Sequence, residues 1–123
     1  MVRKRAGEDA PAPTRALDDD SAAERAIACA ACRHPITHAS ARIEKNGRHH
    51  HTCVNPAGFV FHIACFAAAP GAVAHGTPTE AHSWFAGYRW RFASCGGCSQ
   101  HLGWCFVDED AFWGLIRAHL VQL

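Results

Sequence analysis

The sequence carries almost no net charge. Twelve lysines and arginines against 11 aspartates and glutamates leave +1 with histidine neutral, so no bulk field draws nucleic acid or an anionic membrane, and any partner is chosen by local shape. Long hydrophobic runs are also missing. The longest small-apolar stretch, Phe66 to Ala74, is interrupted by Pro70 and Gly71 and falls far short of the ~20 apolar residues a membrane helix needs. The opening MVRKRAGEDAP is basic but has no apolar region behind it, unlike a secretory leader, and the expectation is a cytoplasmic protein. Length is the last shortage. A chain of 123 residues allows one domain, with a core small enough to gain from a covalent or metal staple.

Cysteine and histidine, by contrast, are plentiful at 7 and 10 residues. An odd cysteine count in a reducing compartment reads as metal ligands or small buried side chains before disulfides. Composition also shifts along the chain. Residues 1–28 hold 11 of the 23 charges, together with Pro11, Pro13 and the run Asp18, Asp19, Asp20. Such a stretch cannot bury enough apolar surface to offset the entropy of ordering, so a disordered tail over 1–25 is expected before a domain over 26–123. Farther on, 9 of the 12 aromatics fall between Trp84 and Trp113.

Within the domain, turn signals recur every 8 to 12 residues, which argues for antiparallel all-β. Asn46-Gly47 reads as a hairpin turn and Asn55-Pro56-Ala57-Gly58 as a second turn. Strands are expected at Val60–Cys65, Ser83–Phe85, Tyr88–Ser94 and His101–Val107, with a short helical turn at Phe66–Ala69. Phe112–Leu120 fits either a strand or a 3.6-residue helical period.

Cys29-Ala-Ala-Cys32 and Cys95-Gly-Gly-Cys98 form a pair of CxxC turns, the ligand set of a tetrahedral structural zinc site. The 62 residues between Cys32 and Cys95 exceed a compact zinc ribbon, so one ion would pin two hairpins distant in sequence. Four thiolates leave no open coordination position, which argues against a zinc hydrolase. A redox role for either pair is the alternative. Cys53, Cys65 and Cys105 lack partners at metal spacing and read as core side chains. Strand alternation turns Cys105 away from Trp104 and Phe106. His49, His50 and His51 read as an exposed hairpin tip.

Trp84, Trp90 and Trp104 are expected on three successive strands. They could pack a core or wall a cage suited to a flat small ring or a quaternary cation. Pattern alone leaves both open.

The runs His82-Ser83-Trp84-Phe85-Ala86-Gly87-Tyr88-Arg89-Trp90, Cys95-Gly96-Gly97-Cys98, His101-Leu102-Gly103-Trp104-Cys105-Phe106 and Phe112-Trp113-Gly114-Leu115-Ile116 resemble the thalidomide-binding CULT domain family of cereblon. Val54 to Gly58 and Cys29 to Cys32 match its earlier parts, and the resemblance spans roughly residues 26–120. It implies an all-β β-tent of two antiparallel sheets meeting at an angle, with zinc on Cys29, Cys32, Cys95 and Cys98. It further implies a glutarimide cage of Trp84, Trp90 and Trp104 floored by Phe106. His82 and Trp84 would meet the imide edge with Ser83 between them, and Asn55 would touch the rest of the ligand. Phe85, Gly87 and Tyr88 would shape the turn. The implied partner is a small cyclic imide, a uridine-like ring, or a cyclised asparagine or glutamine at a protein C-terminus. The chain is too short for the ubiquitin-ligase docking parts of eukaryotic cereblon and looks like a stand-alone, bacterial-type homologue, so no ligase adaptor is expected. A binding module without catalytic residues is the leading reading. A methylammonium cage and an enzyme acting on an imide or sulfoxide are the alternatives.

Overall fold

The structure, a computed structural model, describes residues 24–123; the expected tail lies outside these residues except for Glu24 and Arg25. The described chain is all-β, with two antiparallel sheets. A three-stranded sheet has the order β2-β1-β9, built from β1 (Ala26–Cys29), β2 (Pro35–His38) and β9 (Leu120–Gln122). A six-stranded sheet has the order β3-β4-β8-β7-β6-β5. Its strands are β3 (His50–Val54), β4 (Val60–Phe66), β5 (Ala72–Thr79), β6 (Arg89–Cys95), β7 (His101–Val107) and β8 (Ala111–Ile116).

Side-chain alternation gives the six-stranded sheet two cores. On β4, Ala64 and Phe66 pack toward the three-stranded sheet with Ile27, Ile36, Leu102 and Leu115. Ile63 and Cys65 point the other way and join Phe85, Trp104, Phe106 and Phe112. Phe106 and Phe112 stack at 5.1 Å, and Phe85 meets both edge-on at 4.8 and 5.0 Å. Gly114 makes room for that stack, since a Cβ there would lie 2.9 Å from both Phe106 and Ile63.

Several expectations were met strand for strand, at β4, β6 and β7. The Asn46-Gly47 turn is also present: Lys45 and Arg48 bridge, and both turn residues have positive φ, 53° and 80°, the geometry of a type I′ turn. Four expectations need correction. Ser83–Phe85 is not a strand but part of the bent connection between β5 and β6. Trp84 therefore reaches the sheet from a loop. Phe66–Ala69 forms no helical turn; Thr37, buried on β2, instead donates its hydroxyl to the Ala68 carbonyl at 2.7 Å. Phe112–Leu120 is neither one strand nor a helix. It splits into β8, a single 3-10 turn at Arg117–His119, and β9, which crosses to the other sheet and pairs with β1. Finally, the three histidines are no hairpin tip. His50 and His51 open β3, while the His49 ring hydrogen-bonds the Ile43 carbonyl at 3.0 Å and lies edge-on to Phe66 at 5.5 Å.

Candidate functional site

The two CxxC segments fold alike. In the first, the Cys29 N–H donates to the His34 carbonyl at 2.9 Å and the Arg33 N–H to the Cys29 carbonyl at 2.8 Å. In the second, the Cys95 N–H donates to the Gln100 carbonyl at 2.8 Å and the Ser99 N–H to the Cys95 carbonyl at 2.9 Å. Arg33 and Ser99 occupy the same place in each turn and share a left-handed backbone, φ 66° and 67°. The repeated bend aims each pair of thiols inward. One turn joins β1 to β2 and the other joins β6 to β7, so the four sulfurs meet where the two sheets meet.

Their spacing suits a metal ion. Cys29 Sγ lies 3.7 Å from Cys98 Sγ, Cys32 Sγ 3.6 Å from Cys95 Sγ, and all four fall within 4.8 Å of one another. A tetrahedron with metal–sulfur bonds of ~2.3 Å has edges of about 3.8 Å. Burial raises the Cys95 thiol, but the backbone N–H groups of Cys98 and Gly97 outweigh it and bring the thiol down to about 7. The backbone N–H groups of His34 and Gln100 lower Cys32 and Cys98 in turn, but burial and the neighbouring thiols outweigh them, pushing Cys32 up to about 12 and raising Cys98. One thiol is thus readied as a thiolate, while Cys32 and Cys98 resist adding negative charge until a cation joins them. Cys53, Cys65 and Cys105 are buried elsewhere, and burial raises the pKa of each, Cys65 to about 11. Cys105 pairs across the sheet with Arg91 and Trp113, on the face away from Trp104.

The open side of the second core holds a cavity of about 380 Å³, within the range of small-molecule sites (~300–1,000 Å³). Trp84, Trp90, Trp104 and Phe106 line it, with Asn55 and His82. Trp104, 8% exposed, is the packed wall from β7, and Trp84 and Trp90 are half-buried. Trp84 and Trp104 meet edge-to-face at 4.7 Å. The Trp84 indole N–H donates to the Val54 carbonyl at 3.0 Å and that of Trp90 to the Ala81 carbonyl at 2.8 Å. Each bond satisfies the polar edge of its ring and fixes its orientation, leaving an apolar face as wall.

The loop between β5 and β6 completes the rim. His82 has a left-handed backbone, φ 57°, uncommon for a residue other than glycine and a mark of a locally strained segment. Ser83 is not among the lining residues; its hydroxyl donates to the Phe85 carbonyl at 3.1 Å and shapes the loop instead. Tyr88 packs edge-on against Phe112 and donates to the Asp110 carboxylate at 2.9 Å, while Lys45 donates to the Tyr88 hydroxyl at 3.1 Å. Asn55 accepts the Phe59 N–H on its Oδ1 at 2.9 Å, which closes the β3–β4 turn and leaves its amide nitrogen to donate.

Pro56, Phe61, Phe92 and His101 also line the cavity and were missed in the sequence. For Phe92 a signal existed, since it lies two residues from Trp90 on one strand. His101 was hidden by a bulge. Ala93 pairs with Gly103 and Ser94 with His101, so one step on β6 spans two on β7. Leu102 is displaced into the other core, and His101 takes its place 5.1 Å from Trp104. Burial, aided by His119 and His75, lowers the His101 pKa although its bond to the Gly103 carbonyl opposes this. The shift favours the neutral ring. Among the described residues no lysine, arginine or carboxylate lines the cavity.

No family model matches the chain. Among curated proteins it is similar to cereblon of Danio rerio, 42% identical over 74 residues, and to cereblon of Gallus gallus, 36% identical over 74 residues. Each match covers 55% of this chain but 17% of the relative, so the chain spans about a sixth of the length of the curated relatives it matches. With two antiparallel sheets, a four-cysteine corner and an aromatic cavity already in place, this likeness supports reading the matched part of the chain as a cereblon-like CULT domain.

Proposed function

We propose that the domain is a binding module for cyclic imides, braced by one structural zinc ion on Cys29, Cys32, Cys95 and Cys98. The observation that carries this reading is the tryptophan-walled cavity, in which the Trp84 and Trp90 N–H groups are already paired with backbone carbonyls. Flat apolar walls with satisfied edges favour a flat ring whose own polar edge is met elsewhere. In this reading the His82–Trp84 segment, set by the left-handed turn at His82, supplies the backbone groups that pair with the two carbonyls and single N–H of an imide. Glutarimide drugs of the thalidomide type, uridine-like rings and a cyclic imide at a protein C-terminus share that edge.

The module needs no catalytic group and acts in the cytoplasm. A methylammonium cage finds no support in the lining, which holds no carboxylate among the described residues. A thiol enzyme finds none either, because Cys105 faces away from the ring walls.

Tryptophan fluorescence titrated with a glutarimide, its N-methyl analogue and a trimethylammonium compound tests the reading. Methylation removes the only donor and strands a desolvated acceptor at ~1–3 kcal/mol, besides crowding the walls. Saturable quenching by the glutarimide and a loss of about a hundredfold or more for the N-methyl analogue are expected. Equal affinity for these two compounds overturns the proposal.

A further inference from the structure

A second cavity, of about 250 Å³, lies where β1 and β9 approach β3 and β4, and it shares no lining residue with the aromatic one. Its floor is apolar, with Ile27 and Phe66 among the lining residues. Its rim is cationic. Arg42 comes from the chain after β2, His49 and His50 from the start of β3, and Arg117 from the 3-10 turn after β8.

Among the described residues no carboxylate lines this cavity. Among the described residues the ion pair present is Lys45–Asp110 at 3.6 Å, so neither arginine is neutralised within them. Burial, followed by the positive charges of Arg117, His49 and Arg42, lowers the pKa of His50. Two guanidiniums and two imidazoles from three separate segments thus line one cavity, with Arg42, His50 and Arg117 at exposed positions. An anion entering it meets several donors and positive charges at once.

We propose that this seam cavity is an anion site for a phosphate or carboxylate carried on an organic body. Arg42 and Arg117 offer planar forks to the oxygens, and Leu120 and Val121, half-buried in the lining, take the body. Two sources carry this chemistry. One is a free organic phosphate or carboxylate. The other is the chain's own Asp18-Asp19-Asp20 run, which ends seven residues before Ile27. At ~3.3–3.6 Å per extended residue that tether reaches the rim, and it would hold the carboxylates there at an effective concentration on the order of millimolar.

Inorganic phosphate titrated into the full chain, with the imidazole NMR signals of His49 and His50 as readout, tests the site. A saturable shift of these two signals is expected while His62 and His82 stay unmoved. Arg42→Gln and Arg117→Gln, both at exposed positions, should each weaken phosphate by about tenfold, with an unchanged melt showing that the fold is intact. A variant carrying Asp18→Asn, Asp19→Asn and Asp20→Asn separates the sources. Tightening of phosphate by about fivefold or more assigns the resident anion to the chain itself, and unchanged affinity assigns the site to a free ligand. Shifts that never saturate, or that saturate alike in both arginine variants, overturn the proposal.

Discussion

The two faces of the six-stranded sheet are made from alternate residues of the same strands, yet they end with opposite character. Toward the three-stranded sheet most side chains are aliphatic or small, with Phe66 the one fully buried ring among them, and Ala64, Ala93, Leu102 and Leu115 are at most 4% exposed. Cys29 and Cys95 pack in that core while Cys32 and Cys98 are exposed, so the four-cysteine corner caps the core at its edge. The other face is built of rings, four of them fully packed, with Trp84 and Trp90 half-buried around an open volume. Aliphatic side chains fill space, whereas rings fixed by their edges can enclose it. A packed, space-filling side and a ring-walled side with a cavity thus share one sheet.

The strongest test of that division is Cys95→Ser. Structural zinc contributes an apparent ~10–16 kcal/mol, against a domain stability of ~5–15 kcal/mol, so the variant should lose its cooperative melt, as should the chelated wild type. Zinc-free protein with an unchanged melt would break the assignment. Trp90→Ala should do the reverse. Binding of a glutarimide should vanish in a fluorescence titration, while denaturant unfolding shows a cost below the ~3–5 kcal/mol of truncating a fully buried tryptophan.

Gly103→Ala tests the seam between the faces. Gly103 has φ 149°, and a Cβ there would lie 2.2 Å from the Gly114 carbonyl oxygen. A loss of ~1–3 kcal/mol is expected from overpacking, together with weaker ligand binding, because the adjoining bulge sets His101 in the cavity wall. Retained affinity at reduced stability would remove His101 from the site.

The smallest effect is expected at Asp110→Asn, which cuts the exposed contact among Lys45, Tyr88 and Asp110. The Tyr88 hydrogen bond, then Lys45, lowers the Asp110 pKa. A depressed carboxylate contributes stability above its unfolded pKa of ~3.9 and loses it as pH falls through the folded value. The variant should melt slightly below wild type at neutral pH, and the difference should disappear in acid. A difference that persists below pH ~2 would point to packing of Tyr88 instead of charge.

Much of the architecture was legible because it depends on local chemistry. Asn46-Gly47 accepts positive φ at both positions, and Val60, Tyr88 and His101 open or adjoin runs of strand composition. The cage was only partly legible. Trp90 and Trp104 lie on strands, but Trp84, expected on a third, hangs from a loop stabilised by Phe85 in the core. Strict alternation would put Leu102 on the Trp104 face, and one bulged residue reverses this, since period-two patterns flip face with each insertion.

By itself the sequence determined the all-β class, the hairpin turns and the two CxxC pairs, each of which depends on a few neighbouring residues. It also determined that tryptophans would gather. Only the tertiary structure decided that the cysteine turns belong to different sheets, that the C-terminal segment leaves one sheet for the other, and that three rings face a common space. The same holds for the cationic seam, whose Arg42, His49, His50 and Arg117 stand up to 75 positions apart (117 − 42). Convergence of distant segments carries no local signature, because each segment folds under its own short-range preferences and meets the others only when the sheets pack.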